Sequence, residues 1–221
     1  MDCAETFSPV VKPAIVRTVL SLALSHRWPI HQLDVKNAFL HGTLSETVYY
    51  AQPSSFEHPA HPDFVCRLNK SLYGLKQAPR AWYSQFVSFL LSRGFIEAKT
   101  DTSLFVFRQC SDMAYLLLYV DDIVLTASSS GLLQRIILAL QQEFAMKDRG
   151  ELHHFLGMEV RRCGDGLLLS QRQYMLDILD RAGMTECKPC STPVDTNPKV
   201  AATDGAPVAD AIDFRSLAGT L

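Results

Sequence analysis

No run of apolar residues in this sequence approaches the roughly 18 needed to cross a bilayer as a helix. The start, Met1-Asp2-Cys3-Ala4-Glu5, lacks the basic and apolar blocks of a secretory signal. The expectation is a protein that stays inside the cell and has no membrane partner. Cysteine is sparse and scattered, at positions 3, 66, 110, 163, 187 and 190, which without a signal reads as reduced thiols rather than a disulfide framework. Asn69-Lys70-Ser71 is then a chance sequon. Excess positive charge is missing too: 21 Lys and Arg stand against 23 Asp and Glu, for a net charge of -2. Any contact with a polyanion must come from a local groove and not from the surface as a whole. Cys187-Lys188-Pro189-Cys190 has the spacing of half a zinc site, but no second Cys or His pair lies at a suitable distance, and His153-His154 is adjacent rather than spaced.

What the chain has is apolar periodicity that changes along its length. With 48% hydrophobic residues among 221, it can bury one large core or two small ones. Pro13, Ile15, Val16, Val19, Leu20 and Ala23 follow helical spacing, with proline near the first turn. From Ile30 the period shortens to two, so Leu33 and Val35 share one strand face while Gln32 and Asp34 share the other. Short strands are expected at 48–51 and 64–68, around a loop carrying Pro53, Pro59 and Pro62. Trp82, Phe86, Phe89 and Leu90 mark a core-facing helix over 79–93 that ends at Gly94; at that spacing they are core and not a base-stacking platform. Strands at 104–108 and 114–120 lead to Asp121-Asp122 and then Ile123-Val124-Leu125, a hairpin with two acids at its tip. Leu133, Ile136, Ile137, Leu140 and Phe144 predict another helix, 155–160 and 167–169 two strands, and Ser170 with Gln173 a capping box opening a helix to Gly183. Residues 188–221 read as an extended linker. Short hairpins without regular βαβ alternation give an α+β class, an antiparallel sheet backed by helices on one face.

An acid in an apolar strand and two more at a hairpin tip form a candidate site if they converge. Adjacent ionised aspartates repel, so burial either raises a pKa or recruits a hard cation with oxygen ligands. The alternative is turn chemistry, which places Asp-Asp at hairpin tips with no metal involved.

Several ordered blocks bear on that choice. Leu33-Asp34-Val35-Lys36-Asn37-Ala38-Phe39-Leu40-His41-Gly42 is followed by Leu72-Tyr73-Gly74-Leu75-Lys76-Gln77-Ala78-Pro79-Arg80-Ala81-Trp82-Tyr83 and Tyr119-Val120-Asp121-Asp122. Then come Phe155-Leu156-Gly157-Met158-Glu159-Val160 and Phe214-Arg215-Ser216-Leu217-Ala218-Gly219. Together they resemble the reverse transcriptase of copia-type LTR retrotransposons, over nearly the whole chain.

The resemblance implies a right-hand polymerase: a palm with partial fingers and the start of a thumb over 1–187, then a linker toward a connection and RNase H region. Its reaction would be two-metal transfer of a nucleotide from a dNTP to a primer 3′-hydroxyl on an RNA or DNA template. By similarity Asp34, Asp121 and Asp122 would be catalytic and would hold two Mg²⁺ ions, with Mn²⁺ as a substitute and the Val35 carbonyl adding a ligand. Phe39 would be the aromatic gate under the incoming sugar, with core packing as its bland role. Tyr73, Gly74 and Lys76 would hold nucleotide and template, and Lys147 would meet the triphosphate or pyrophosphate; a solvated surface lysine is the plain alternative for Lys76. Phe155, Leu156, Gly157 and Met158 would form the primer grip, or else ordinary sheet core. The implied partners are template, primer and dNTPs, with a second polymerase chain or the rest of a Pol polyprotein. The implied location is cytoplasmic, in a virus-like particle, or nuclear.

The family's basic fingers strand lies upstream of the segment that begins here, and its RNase H domain downstream. Three readings therefore stay open: a polymerase domain with its catalytic centre intact, an inactive remnant that folds and at most binds nucleic acid or a partner chain, and another palm-type metal enzyme such as a nucleotide cyclase. The Tyr73-Gly74-Leu75-Lys76 block and Phe39 weigh against the cyclase, which needs no template-facing helix.

Overall fold

The antiparallel hairpins that dominate the fold follow from runs of β-branched and leucine residues broken by two-residue turns. A computed structural model describes Pro9, residues 11–189, Ile212, Arg215 and Gly219. The chain runs α1 (Pro13–Ser25), β1 (Ile30–Val35), α2 (Ala38–His41), β2 (Thr43–Ala51), β3 (Val65–Lys70) and α3 (Ala78–Ser92). It continues through β4 (Phe95–Ala98), β5 (Asp101–Gln109), β6 (Asp112–Tyr119), β7 (Asp122–Ala127), α4 (Ser130–Glu143) and β8 (Met146–Glu151). Last come β9 (His154–Phe155), β10 (Met158–Cys163), β11 (Gly166–Ser170) and α5 (Arg172–Arg181). Six strands form one sheet in the order β4-β5-β6-β7-β1-β8, every neighbour antiparallel. β9–β11 make a three-stranded sheet, and β2 and β3 a separate hairpin.

The class is α+β, as the sequence implies, but helices cover the sheet on both faces. Leu116 pairs with Leu125 and Leu118 with Ile123, and these face a core shared with Trp82, Phe86 and Leu90 of α3 and Leu133, Ile137 and Leu140 of α4. The intervening pair, Leu117 with Val124, points the opposite way, into a second core with Val16, Val19, Leu20 and Ala23 of α1. Phe155 and Val160 close that second core. The expectation of helices on one face is thus corrected. The reason is legible in β6 and β7, which are apolar at consecutive positions, the pattern of strands buried on both sides.

Local differences have physical causes. Ser170 does not cap a helix: it ends β11 paired with Glu159, and α5 starts after Gln171 with no side-chain cap. Residues 155–160, a strand by their spacing and a hairpin by the resemblance, form two arms joined at Leu156-Gly157, whose φ values of 52 and 74 give the left-handed turn that suits a two-residue hairpin. β8 has no counterpart among the expected strands. Its sequence, Met146-Lys147-Asp148-Arg149-Gly150-Glu151, carries little β-propensity, and it is held by pairing with β1. Gly150, at φ 80, sits where the register slips by a residue between His31 and Leu33. The linker read over 188–221 lies almost wholly outside the described residues, as do Cys3 and Cys190. Cys66, Cys110, Cys163 and Cys187 are free thiols. No helix among the described residues is long and apolar enough to cross a membrane.

Phe144, just after α4, is the hub that ties α3 to the sheet. Its ring meets Trp82 edge-on at 5.2 Å and Phe89 at 5.3 Å, and lies 5.4 Å from Phe86 and 5.6 Å from His41. Phe144→Ala should therefore cost about 3–5 kcal/mol in urea unfolding. Leu138→Ala, on the exposed side of α4, should stay within about 0.5 kcal/mol. Equal effects of the two changes would contradict this core assignment.

Candidate metal centre

The turn between β6 and β7 is Val120-Asp121, closed by the Tyr119–Asp122 pair. Val120 has φ 56, a left-handed conformation that a β-branched residue adopts at a cost on the order of 1–3 kcal/mol. Two hydrogen bonds hold it there. The indole N–H of Trp82 donates to the Val120 carbonyl at 2.6 Å, and the Val35 N–H donates to the Asp121 carbonyl at 2.9 Å. The core helix α3 and the end of β1 thus fix the acidic turn through its main chain, leaving the aspartate side chains unconstrained by those contacts.

β1 brings the third acid. In its antiparallel register with β7, Asp34 lies directly opposite Asp122 and Gln32 opposite Val124. Directly opposed residues project from the same side of a sheet with Cα atoms about 4.5–5.5 Å apart. The side is the one that also carries Val124 and Leu117, so α1 and the β9–β11 sheet lie on the same face as the acids. On β8, Lys147 is the Cα partner of Asp34, and Arg149 follows on the same face.

The electrostatics of this cluster are unbalanced. Burial pushes the Asp122 carboxyl above its usual range, and the neighbouring charges of Asp121 and Asp34 push it further; Gln32 and Arg149 pull the other way. The Gln32 amide is buried and reaches Asp122 only at 3.5 Å, the outer limit of a hydrogen bond, while its own oxygen has no partner among the described residues. Asp34 is better served: Arg149 donates to its carboxylate at 3.1 Å. Among the described residues, no three His, Cys, Asp or Glu side chains are gathered as a metal-binding set. The backbone therefore brings Asp34, Asp121 and Asp122 together at one end of the central strands β1 and β7, while the side chain of Asp34 is turned to an internal cation. As donors the three fit a hard divalent ion, being carboxylate oxygens on the adjacent strands β1 and β7 and on the β6–β7 turn, with the Asp122 charge only partly offset.

The remaining candidates fall into two groups. Phe39 and Tyr73 come together, ring centroids 4.9 Å apart. The Ser71 hydroxyl donates to the Phe39 carbonyl, which fastens α2 to the strand that precedes Tyr73. Gly42 makes the approach possible, because a Cβ there would lie 2.7 Å from Ser71 Oγ and 2.8 Å from the main-chain nitrogen of Trp82. Tyr73, Gly74 and Lys76 are exposed, with Gly74 at φ 91. Lys147 is exposed beside Asp34. Phe155 is buried in the second core, whereas the tip Leu156-Gly157 and Met158 are accessible.

Sequence reading puts Gln32 on the strand face of Asp34 but does not find its contact with Asp122, the Trp82 indole as the brace of the turn, or Arg149. The basic alternation Lys147-Asp148-Arg149 was the one available signal for Arg149.

Comparison with known proteins places these residues in context. A family model described as reverse transcriptase (RNA-dependent DNA polymerase) matches residues 1–196. The chain is 48% identical over 221 residues, all of it, to the retrovirus-related Pol polyprotein from transposon RE2 of Arabidopsis thaliana, and spans 15% of that protein. It is 44% identical over 198 residues to the retrovirus-related Pol polyprotein from transposon TNT 1-94 of Nicotiana tabacum, covering 88% of this chain and 15% of that one. A putative transposon Ty5-1 protein of Saccharomyces cerevisiae is 31% identical over 191 residues, 86% of this chain and 62% of that protein.

The strained charge at Asp122 has a measurable sign. A carboxyl whose folded pKa is raised favours the folded state fully only below its unfolded pKa, and that contribution is lost as pH rises through the folded value. Asp122→Asn should therefore raise the melting temperature of the metal-free protein at about pH 7, with the gain shrinking as pH falls into the carboxyl range. A lower melting temperature at neutral pH would mean that the Asp122 charge is stabilising as it stands.

Proposed function

The chain belongs to the reverse transcriptase (RNA-dependent DNA polymerase) family, and on that premise we propose that it is the palm of an RNA-directed DNA polymerase, with part of the fingers and the start of a thumb. The single observation that carries the proposal is the Asp34–Asp122 pairing across β1 and β7, with Asp121 in the adjoining turn. The chain spans about 15% of the length of the Pol polyproteins it matches first, so partners and activity beyond this portion belong to the same proposal. They are an RNA or DNA template with its primer, dNTPs, and the rest of a Pol polyprotein or a second polymerase chain. A cytoplasmic particle or the nucleus would be its place of work.

Asp34, Asp121 and Asp122, with the Val35 carbonyl, would hold divalent cations, Mg²⁺ or Mn²⁺ in its place. Held by these residues, two such ions would supply charge neutralisation for the transferring phosphoryl group and would acidify the attacking hydroxyl. The protein's own part is positioning. Phe39, braced by Tyr73, supplies a wall that a deoxyribose clears and a ribose 2′-hydroxyl does not. Gly74 admits close approach of a phosphate to the main chain, and Lys76 and Lys147 offer point charges to the triphosphate. The hairpin Phe155–Met158 is anchored through Phe155 in the second core, so its accessible tip can press a primer end toward the acids. The hairpin β2–β3 would belong to the fingers and α5 to the thumb.

A second reading, a folded remnant without turnover, is favoured by one observation: Arg149 occupies the Asp34 carboxylate. Primer extension separates the two. The protein should extend a DNA primer on an RNA template when Mg²⁺ is added, Asp121→Asn should lower the rate at least about 100-fold, and Phe39→Ala should admit ribonucleotides. No extension by the parent chain, or extension that survives Asp121→Asn, would favour the remnant or remove the site.

A further inference from the structure

Among the described residues, Arg149 is the cation with a direct bond to the acidic cluster, and it lies on β8 two residues after Lys147 without a role of its own in the resemblance. Its Nη2 donates to Asp34 Oδ2 at 3.1 Å from β8, the neighbour of β1, while its own side chain is 43% exposed. A guanidinium does not deprotonate in proteins, so pH cannot remove it. The same carboxylate is one that a divalent ion needs, at oxygen distances near 2.0–2.1 Å for Mg²⁺. The guanidinium and the ion therefore compete for one group.

We propose that Arg149 is a latch on the metal centre: it holds the Asp34 carboxylate through its guanidinium in the metal-free protein and releases it when a divalent cation binds. The inference rests on the polymerase reading of the acids. Three features support a latch rather than a permanent bond. The register forces Asp34 and Asp122 side by side, and Arg149, bonded to Asp34, also acts on the Asp122 charge, so in the metal-free protein it offsets part of their repulsion. The guanidinium is substantially exposed, so once displaced it is rehydrated with little loss. Its attachment is a single hydrogen bond and not a two-pronged clamp. A monovalent ion from solution carries no more charge than the arginine already in place, whereas a divalent ion does, so the latch also favours divalent over monovalent occupancy. Lys147, directly opposite Asp34 in the register, stays exposed, and it remains available to a phosphate when Arg149 is engaged.

A partly exposed ion pair holds only modestly, which sets the expected effect at about a 2- to 5-fold change in metal affinity. The test is direct Mn²⁺ binding to the full chain, read from the loss of free-ion paramagnetic resonance signal, together with metal-free thermal melting. Arg149→Gln should tighten Mn²⁺ binding by about 2- to 5-fold and lower the metal-free melting temperature. Arg149→Lys, which keeps the charge without the planar fork, should fall between the two. Lower melting temperature with unchanged Mn²⁺ affinity would overturn the latch and leave an ordinary structural contact. Weaker Mn²⁺ binding in Arg149→Gln would also overturn it. Parent and variants that all fail to bind Mn²⁺ saturably would sink the metal centre itself, a result distinct from the other two.

Discussion

Two like charges sit side by side in this sheet because β1 and β7 run antiparallel in a register that sets Asp34 opposite Asp122. A slip of one residue would send Asp34 to the opposite face and carry Leu33 and Val35 out of their core. The register is therefore fixed by hydrophobic burial, and the acids are held in place by residues that have no chemistry of their own. Leu33 is fully buried and Val35 nearly so, both in the core shared with α3 and α4. Moving the register costs that burial, on the order of 1.5–3 kcal/mol for each such side chain, which outweighs the repulsion between two partly solvated carboxylates.

The two cores divide the labour. The one beneath α3 and α4 supplies rigidity: Trp82 reaches from α3 to the acidic turn, and Phe144 locks α3 in position against the sheet. The other, beneath α1, leaves the acid-bearing end of its face accessible and seats the Phe155–Met158 hairpin alongside. One layer of the molecule is thus packed for stiffness and the other is shaped to leave a surface free. The strained Val120 is tolerable only because both carbonyls of its turn are tied to those packed elements.

Much of this was legible in the sequence because local period and tertiary burial agree. The stripes of α1, α3 and α4, the two-residue alternation of β1 and the hairpin around Asp121-Asp122 all follow from side-chain spacing. β8 was not legible, since a strand of alternating charges earns its pairing only from a neighbour that the sequence does not name. Arg149 was hidden for the same reason, because its partner lies on another strand. The capping box at Ser170 failed because the strand pairing of β11 claimed the residue that the motif needs free. The second covered face was overlooked although Leu116-Leu117-Leu118 announced it: an unbroken apolar run says that both sides are buried without saying what buries them.

The site itself divides along similar lines. Family motifs located the acids, Phe39 and Tyr73, and the register and the ring contact bring these together in two groups. What motifs do not carry is the state of the side chains, and here Asp34 is bonded to an arginine while Asp122 is under electrostatic pressure. The central claim is that these acids share divalent cations. Anomalous diffraction from crystals of the protein soaked in Mn²⁺ tests it most directly. If the acids share the ions, a peak appears with oxygens of Asp34 and of Asp121 or Asp122 at roughly 2.0–2.4 Å. A saturated crystal with no peak at those strand ends, or with the ion bound elsewhere, would mean that they do not.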